Sequence, residues 1–245
     1  MLKQFVHYKR FGRFRTLLNR RVPAPRGPLP RVIHMYWQQG FDDVPEIVRR
    51  SVASWTEMNP GWEVKLWSGR PFDEFPVPAD MTLNAYANLV RLKLLRDEGG
   101  VWADATSICR VALDNWLPMV MSHCDFFAFS EPGPDRPLAN WFLVARPGSL
   151  IVTEWLAASC RFWRNQKQMT RVYHWHHYTF DWLLRTSPAF ARAWAETPRI
   201  SASPSFPRWQ GEPVAWVLKF THKAKSGDYA ATLKYLETVS GKAPA

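Results

Sequence analysis

"GGVWADATS", residues 99–107, holds the reading on which the fold turns. Two successive glycines end a helix, because glycine takes the left-handed backbone that closes a helix C-terminus at little steric cost. Val101, Trp102 and Ala103 then make a short apolar strand, and Asp104 leaves its end. Immediately upstream, residues 82–97 have helical spacing, with Leu83, Ala87, Val90 and Leu94 as the expected buried stripe. Asn84, Asn88 and Arg91 share another face of that helix.

Farther upstream, "RVIHMYW" (31–37) reads as a buried strand. Pro45 suits the first turn of a helix that carries Ile47, Val48, Val52 and Trp55 on one side. "NPG" (59–61) stops it, and "WEVKLW" (62–67) alternates as a strand does. Strand, helix and strand in about 35 residues form a βαβ unit, which requires parallel strands. The expected fold class is therefore α/β, a mixed but mainly parallel, Rossmann-like sheet flanked by helices. In such a sheet ligands bind beyond the C-terminal ends of the strands, where Asp104 falls.

Downstream, "DFFAFS" (125–130) and "NWFLVAR" (140–146) read as strands joined by the loop "EPGPDRPLA". Residues 150–166 and 176–196 read as helices, and "WVLKFTHK" (216–223) as a late strand running into a basic turn. The expected organisation is a basic leader and Pro-rich linker over 1–30, one domain over 31–225, and a C-terminal helix or tail over 226–245.

The net charge of +11 is concentrated, not general. Residues 1–31 carry nine Lys or Arg and no acid, whereas the other 23 basic and 21 acidic residues nearly cancel. A nearly neutral body argues against a nucleic-acid binder, and the leader 1–22, with Phe5, Phe11, Phe14 and Leu18, suits an anionic membrane surface. No apolar run reaches the roughly 18 residues of a membrane span, and the N-terminus lacks the apolar centre of a signal peptide. Cys109, Cys124 and Cys160 have no metal-ligand spacing and read as free thiols of a reducing compartment. The expected location is cytoplasmic, peripheral at the inner face of the membrane. Fourteen Trp are many for 245 residues; aromatic faces suit sugar rings, although core packing accounts for most such side chains.

The block 31–67, followed by "AYANLVRLKLLRDEGGVWADAT" (85–106), resembles the capsular polysaccharide synthesis proteins, relatives of glycosyltransferases with a DXD-type sugar-binding region. The resemblance covers roughly 31–225 and implies a GT-A-like fold. It implies transfer of a sugar from a nucleotide-sugar donor, with a UDP-sugar favoured, to a glycan or lipid-linked glycan in bacterial surface polysaccharide synthesis, with retention. It also implies a divalent cation, Mn²⁺ or Mg²⁺. Asp104 matches the metal-binding acid, and Thr106 stands where relatives often carry a second Asp, a poorer ligand at that position. Asn88 stands where many relatives have an Asp that contacts the donor sugar.

Arg91 is expected to pair with Asp104 or touch the donor, and these two are the catalytic candidates. Tyr36 and Trp37 sit where the family stacks the nucleotide base, with a core role as the alternative. Asn140 and Trp141 resemble the segment flanking the donor sugar and acceptor. Thr221, His222 and Lys223 end the late strand where the family closes over the diphosphate, which implies His222 as a second metal ligand and Lys223 as a clamp on the diphosphate, with a plain polar loop as the alternative. In "YHWHHYTFD" (173–181) the His spacing lacks an acid suited to zinc. His177 and Asp181 are acceptor candidates there, with plain packing as the alternative. A non-catalytic nucleotide- or glycan-binding protein on the same scaffold is the competing function, and metal-dependent hydrolysis of nucleotide sugars separates the two.

Overall fold

The computed structural model describes residues 27–164, 166–170, 172–205 and 215–220. The leader 1–22, the turn Thr221–Lys223 and the tail 226–245 lie outside the described residues.

Strand β1 (Val32–Tyr36) is buried along its whole length, as a strand covered on both faces must be. Pro45, with φ −53°, precedes α1 (Glu46–Met58), which buries Ile47, Val48, Ser51 and Trp55. Strand β2 (Glu63–Trp67) returns parallel to β1, closing the expected βαβ unit. Next come α2 (Leu83–Asp97) and β3 (Gly100–Ala103), which pairs parallel with the other side of β1. The glycines between them are obligatory. Gly99 and Gly100 have φ +69° and +87°, and a Cβ on Gly100 would stand 2.4 Å from the Val32 carbonyl oxygen.

A turn leads to β4 (Ser107–Cys109) and the short helix α3 (Leu117–Val120). The hairpin β5 (Phe126–Gly133) and β6 (Arg136–Ala145) completes a five-stranded sheet of order β2-β1-β3-β6-β5. β6 runs against β3, and β5 against β6. Every strand but β6 therefore points the same way, which gives the mainly parallel, GT-A-like sheet. Helices α4 (Leu150–Arg164), α5 (Trp175–Thr186) and α6 (Pro188–Glu196) follow. Last, β7 (Val217–Lys219) pairs with β4 in a separate two-stranded sheet that sets Lys219 opposite Ser107.

Side chains alternate across the strands and feed two cores. Trp102 and Leu143 join Leu89, Leu92 and Leu95 of α2, Trp155 of α4, Phe180 of α5 and Trp194 of α6. Val101, Ala103 and Phe142 face the other way, onto Val48 and Trp55 of α1, Trp116 and Val217. Among the described residues no helix is long and apolar enough to cross a membrane.

Three expectations need correction. Most of "EPGPDRPLA" is strand, with register shifts near Ser130. Pro132 is accommodated because β5 is an edge strand, where a missing N–H removes no ladder bond from a neighbour. The helix expected over 176–196 is two helices. Pro188 cannot continue α5, and the Ser187 hydroxyl accepts from the Phe190 amide (3.2 Å) to begin α6. Leu83 is 42% exposed, because α2 buries Ala85, Tyr86, Leu89, Val90, Arg91, Leu92, Leu94 and Leu95 instead.

Candidate functional site

Asp104 is the first residue beyond β3. Its amide donates to the Trp141 carbonyl (2.8 Å), and its own carbonyl accepts from the Ser107 amide (2.9 Å) and hydroxyl (2.7 Å). The backbone is thus held on both sides, and its side chain is 24% exposed. Asp104 Oδ1 accepts from Trp102 Nε1 (2.9 Å) and lies 3.4 Å from Arg91 Nη2. Asp104 Oδ2 accepts from Lys219 Nζ (3.0 Å), and the same ammonium donates to Thr106 Oγ1 (2.6 Å).

The cations are as constrained as the carboxylate. The Arg91 guanidinium lies over the Trp102 ring at 4.9 Å and donates through Nη1 to the Asn140 carbonyl. The Asn140 amide donates to Asn88 Oδ1 (3.1 Å). Lys219 is fixed by its strand, whose neighbour Phe220 donates its amide to the Thr106 carbonyl (2.9 Å). One carboxylate between the buried Arg91 guanidinium and the partly buried Lys219 ammonium leaves a net positive charge at the strand ends, an environment that favours an anion. Burial alone would push the Asp104 carboxyl up, but the Lys219 ammonium, then the Arg91 guanidinium and the Trp102 hydrogen bond, hold it below the usual carboxylate range. Burial lowers the Arg91 guanidinium from its ordinary value, and Asp104 opposes that shift.

The described residues do not fit the divalent cation implied by the resemblance. Mg²⁺ and Mn²⁺ take several oxygen ligands, usually with carboxylates among them. Both Asp104 oxygens already accept from N–H donors, and the Thr106 hydroxyl accepts from Lys219. Among the described residues no three His, Cys, Asp or Glu side chains gather. His222 and Lys223 lie outside the described residues.

Asp104, Arg91, Asn88, Asn140 and Thr106 are thus brought together as the sequence suggested. Tyr36 is not available to stack a base: it is buried against Trp102, and its hydroxyl donates to the Gly69 carbonyl (2.7 Å). Trp37, on the opposite face, is half-buried against the second core. Trp141 is buried and stacked on Phe129 (5.4 Å), in the second core together with its neighbour Phe142, because the register shift between Ala128 and Ser130 breaks the alternation of β6 there.

His177 and Asp181 do not form an acceptor wall. His177 is buried, and Asp181 pairs with the exposed Arg185 (2.6 Å). His176 is buried and stacks on Trp155 at 4.1 Å. Burial, reinforced by Arg136, His174 and Arg91, pushes the His177 imidazole down to about 3.

Two residues of the cluster were missed. The sequence places Trp102 only in a short apolar strand, although its indole N–H orients Asp104. Lys219 went unremarked, although a lone charge inside the apolar run "WVLKF" was a signal available in the sequence. A cavity of about 270 Å³ lined by Arg31, Trp62, Asp114 and Arg146 belongs to the other end of the sheet. Arg31 and Trp62 precede β1 and β2, and Arg146 follows the reversed β6.

The family model described as capsular polysaccharide synthesis protein matches residues 19–207. A glycosyltransferase of Aspergillus fumigatus is 29% identical over 151 residues, 51% of this chain and 38% of that protein, so the chain spans well under half of this relative's length. A solved glycosyltransferase involved in glycosylation of the major capsid of PBCV-1 shares the fold. Its TM-score is 0.50 at 12% identity, over 86% of this chain and 100% of that one. The PaToxG glycosyltransferase gives a TM-score of 0.49 at 15% identity, over 77% of this chain and 79% of that one.

Proposed function

The chain belongs to the capsular polysaccharide synthesis protein family, and from that premise we propose that it is a glycosyltransferase moving a sugar from a nucleotide-sugar donor to a glycan acceptor. The observation that carries this reading is the Asp104 cluster: one carboxylate held by Trp102 between Arg91 and Lys219, at the ligand edge of an α/β sheet.

In the reaction, the bond from sugar C1 to the phosphate oxygen breaks and its electron pair stays with the departing nucleoside diphosphate. The acceptor hydroxyl oxygen bonds to C1, and its proton leaves to that diphosphate. Negative charge grows on the phosphate oxygens as the bond breaks, and fixed cations that cost no reorganisation stabilise it most. Arg91 is held by Asn140 and Trp102 to do this. Asn88 and Asn140, half-buried and bonded to each other, offer amide groups to sugar hydroxyls. Trp37 is the aromatic surface for the base. Retention, a uridine base and a lipid-linked acceptor follow the family resemblance. The basic leader 1–22 brings the enzyme to an anionic membrane surface at roughly 1 kcal/mol per basic residue near it.

Thr106 at the third position of the motif, in place of a second Asp, favours a second reading, a non-catalytic nucleotide binder. A thermal-shift panel of UDP, GDP and CMP on the full chain, with and without Mn²⁺, tests what both readings share. At 100 times the Kd, a nucleotide stabilises by about 2.7 kcal/mol, a shift of several degrees. If none of the three moves the melting temperature, both readings fall. Release of nucleoside diphosphate from a nucleotide sugar then separates enzyme from binder.

A further inference from the structure

The DXD-type motif is one carboxylate short, and a lysine from another sheet stands beside it. These two facts belong together. Thr106 replaces the second acid, and the Lys219 ammonium lies between Asp104 Oδ2 (3.0 Å) and Thr106 Oγ1 (2.6 Å). In a two-carboxylate motif a divalent cation would be the charge seated between those two positions. Here the motif supplies half the negative charge, and a cation of the chain itself already sits there.

We infer that Lys219 serves as the built-in cation of the site, facing the diphosphate in place of a divalent metal, so that nucleotide binding and transfer need no added metal. The inference rests on the glycosyltransferase reading and deepens it.

Three observations carry it. Lys219 is delivered by backbone pairing rather than by a flexible loop: Ser107 pairs with Lys219 across β4 and β7, and Phe220 donates its amide to Thr106. The ammonium has three N–H donors. Asp104 and Thr106 take two of them, and the side chain is 18% exposed, which leaves a donor for a ligand oxygen. Electrostatics also opposes metal entry. A divalent cation at Asp104 would meet the Lys219 and Arg91 charges within a few ångströms, with one carboxylate to offset all of them. A diphosphate meets the reverse situation, two cations against one carboxylate. As the C1–O bond breaks, the electron pair passes to a phosphate oxygen, and Lys219 donates a hydrogen bond to the diphosphate without changing its own protonation.

The test is nucleotide binding by the full chain, measured by titration calorimetry with UDP and with GDP, in EDTA and then with Mn²⁺. Binding of free Mn²⁺ is followed separately by its electron paramagnetic resonance signal. The wild-type protein is expected to bind its nucleotide in EDTA with an affinity within about twofold of that in Mn²⁺, and to leave the free Mn²⁺ signal undiminished. Lys219→Met should weaken nucleotide binding in EDTA on the order of 100-fold, the scale of truncating one partner of a hydrogen-bonded charge pair between a protein and its ligand. Tighter nucleotide binding by a factor of about ten or more when Mn²⁺ replaces EDTA in the wild type overturns the inference while leaving the transferase reading intact. Wild-type affinity in a folded Lys219→Met does the same. No binding of UDP or GDP under either condition removes the transferase reading, and the role of Lys219 with it. The wild-type metal comparison needs no variant, so it decides the question even if Lys219→Met does not fold.

Discussion

Replacing Asp104 with Asn keeps the side chain's shape and removes the one negative charge between Lys219 and Arg91. The cost follows from the contacts. Asp104 accepts from Trp102 through Oδ1 and from Lys219 through Oδ2. An amide offers one acceptor and one donor, so its NH₂ group must face either the indole N–H or the ammonium. Removing one partner of a fully buried ion pair costs about 3–5 kcal/mol. With the three side chains 24%, 18% and 7% exposed, the lower end applies, about 3 kcal/mol. For a chain of this size that lowers the melting temperature by about 6–12 °C. Urea unfolding of Asp104→Asn, Lys219→Met and the double variant measures the coupling. The double variant should be more stable than the sum of the single losses by at least about 1 kcal/mol, because it no longer buries an unmatched ammonium. A melting temperature within about 2 °C of wild type, or strict additivity, would refute the claim that this carboxylate balances buried charge.

Gly100→Ala should prevent stable folding or cost several kcal/mol, since the new Cβ meets the Val32 carbonyl at φ +87°; a soluble variant with wild-type circular dichroism and melting point would contradict the turn. His177 is neutral in the fold and ionises at about 3, against about 6.5 when unfolded, so the unfolded chain binds the extra proton and stability falls as pH drops below about 6.5. Between pH 5 and 4 this one group contributes a slope of about 1.4 kcal/mol per pH unit. His177→Gln should lose that slope in urea midpoints taken across the interval, and an unchanged slope would show that the imidazole is not buried neutral. Deleting residues 1–22 should release the protein from anionic vesicles without changing its melting temperature; co-sedimentation as before would remove the leader from the account.

The parts of the fold that were legible in the sequence are those governed by local rules. Pro45, the "NPG" stop and the Gly99–Gly100 pair mark boundaries through backbone geometry alone, and Asp104 follows as the residue beyond a short apolar strand. What was missed depends on distant partners. Lys219 lies 115 residues from Asp104, and only the pairing of β4 with β7 brings them together. The positions of Tyr36 and Trp141 suit a site, but Tyr36 is turned into the first core by strand alternation and Trp141 into the second by the register shift of β6. Pro132 and Gly133 read as loop because turn chemistry and an edge strand look alike without the neighbouring strand in view. Pro188 marked a break that the helical spacing on either side obscured.

The most direct test of the central claim is release of nucleoside diphosphate from a panel of UDP- and GDP-sugars by the full chain, with Asp104→Asn and Arg91→Met measured beside it. The account predicts turnover with one nucleotide class and a loss of about 100-fold or more in each variant that remains folded. Release from no donor, or undiminished release by folded Asp104→Asn, would contradict it.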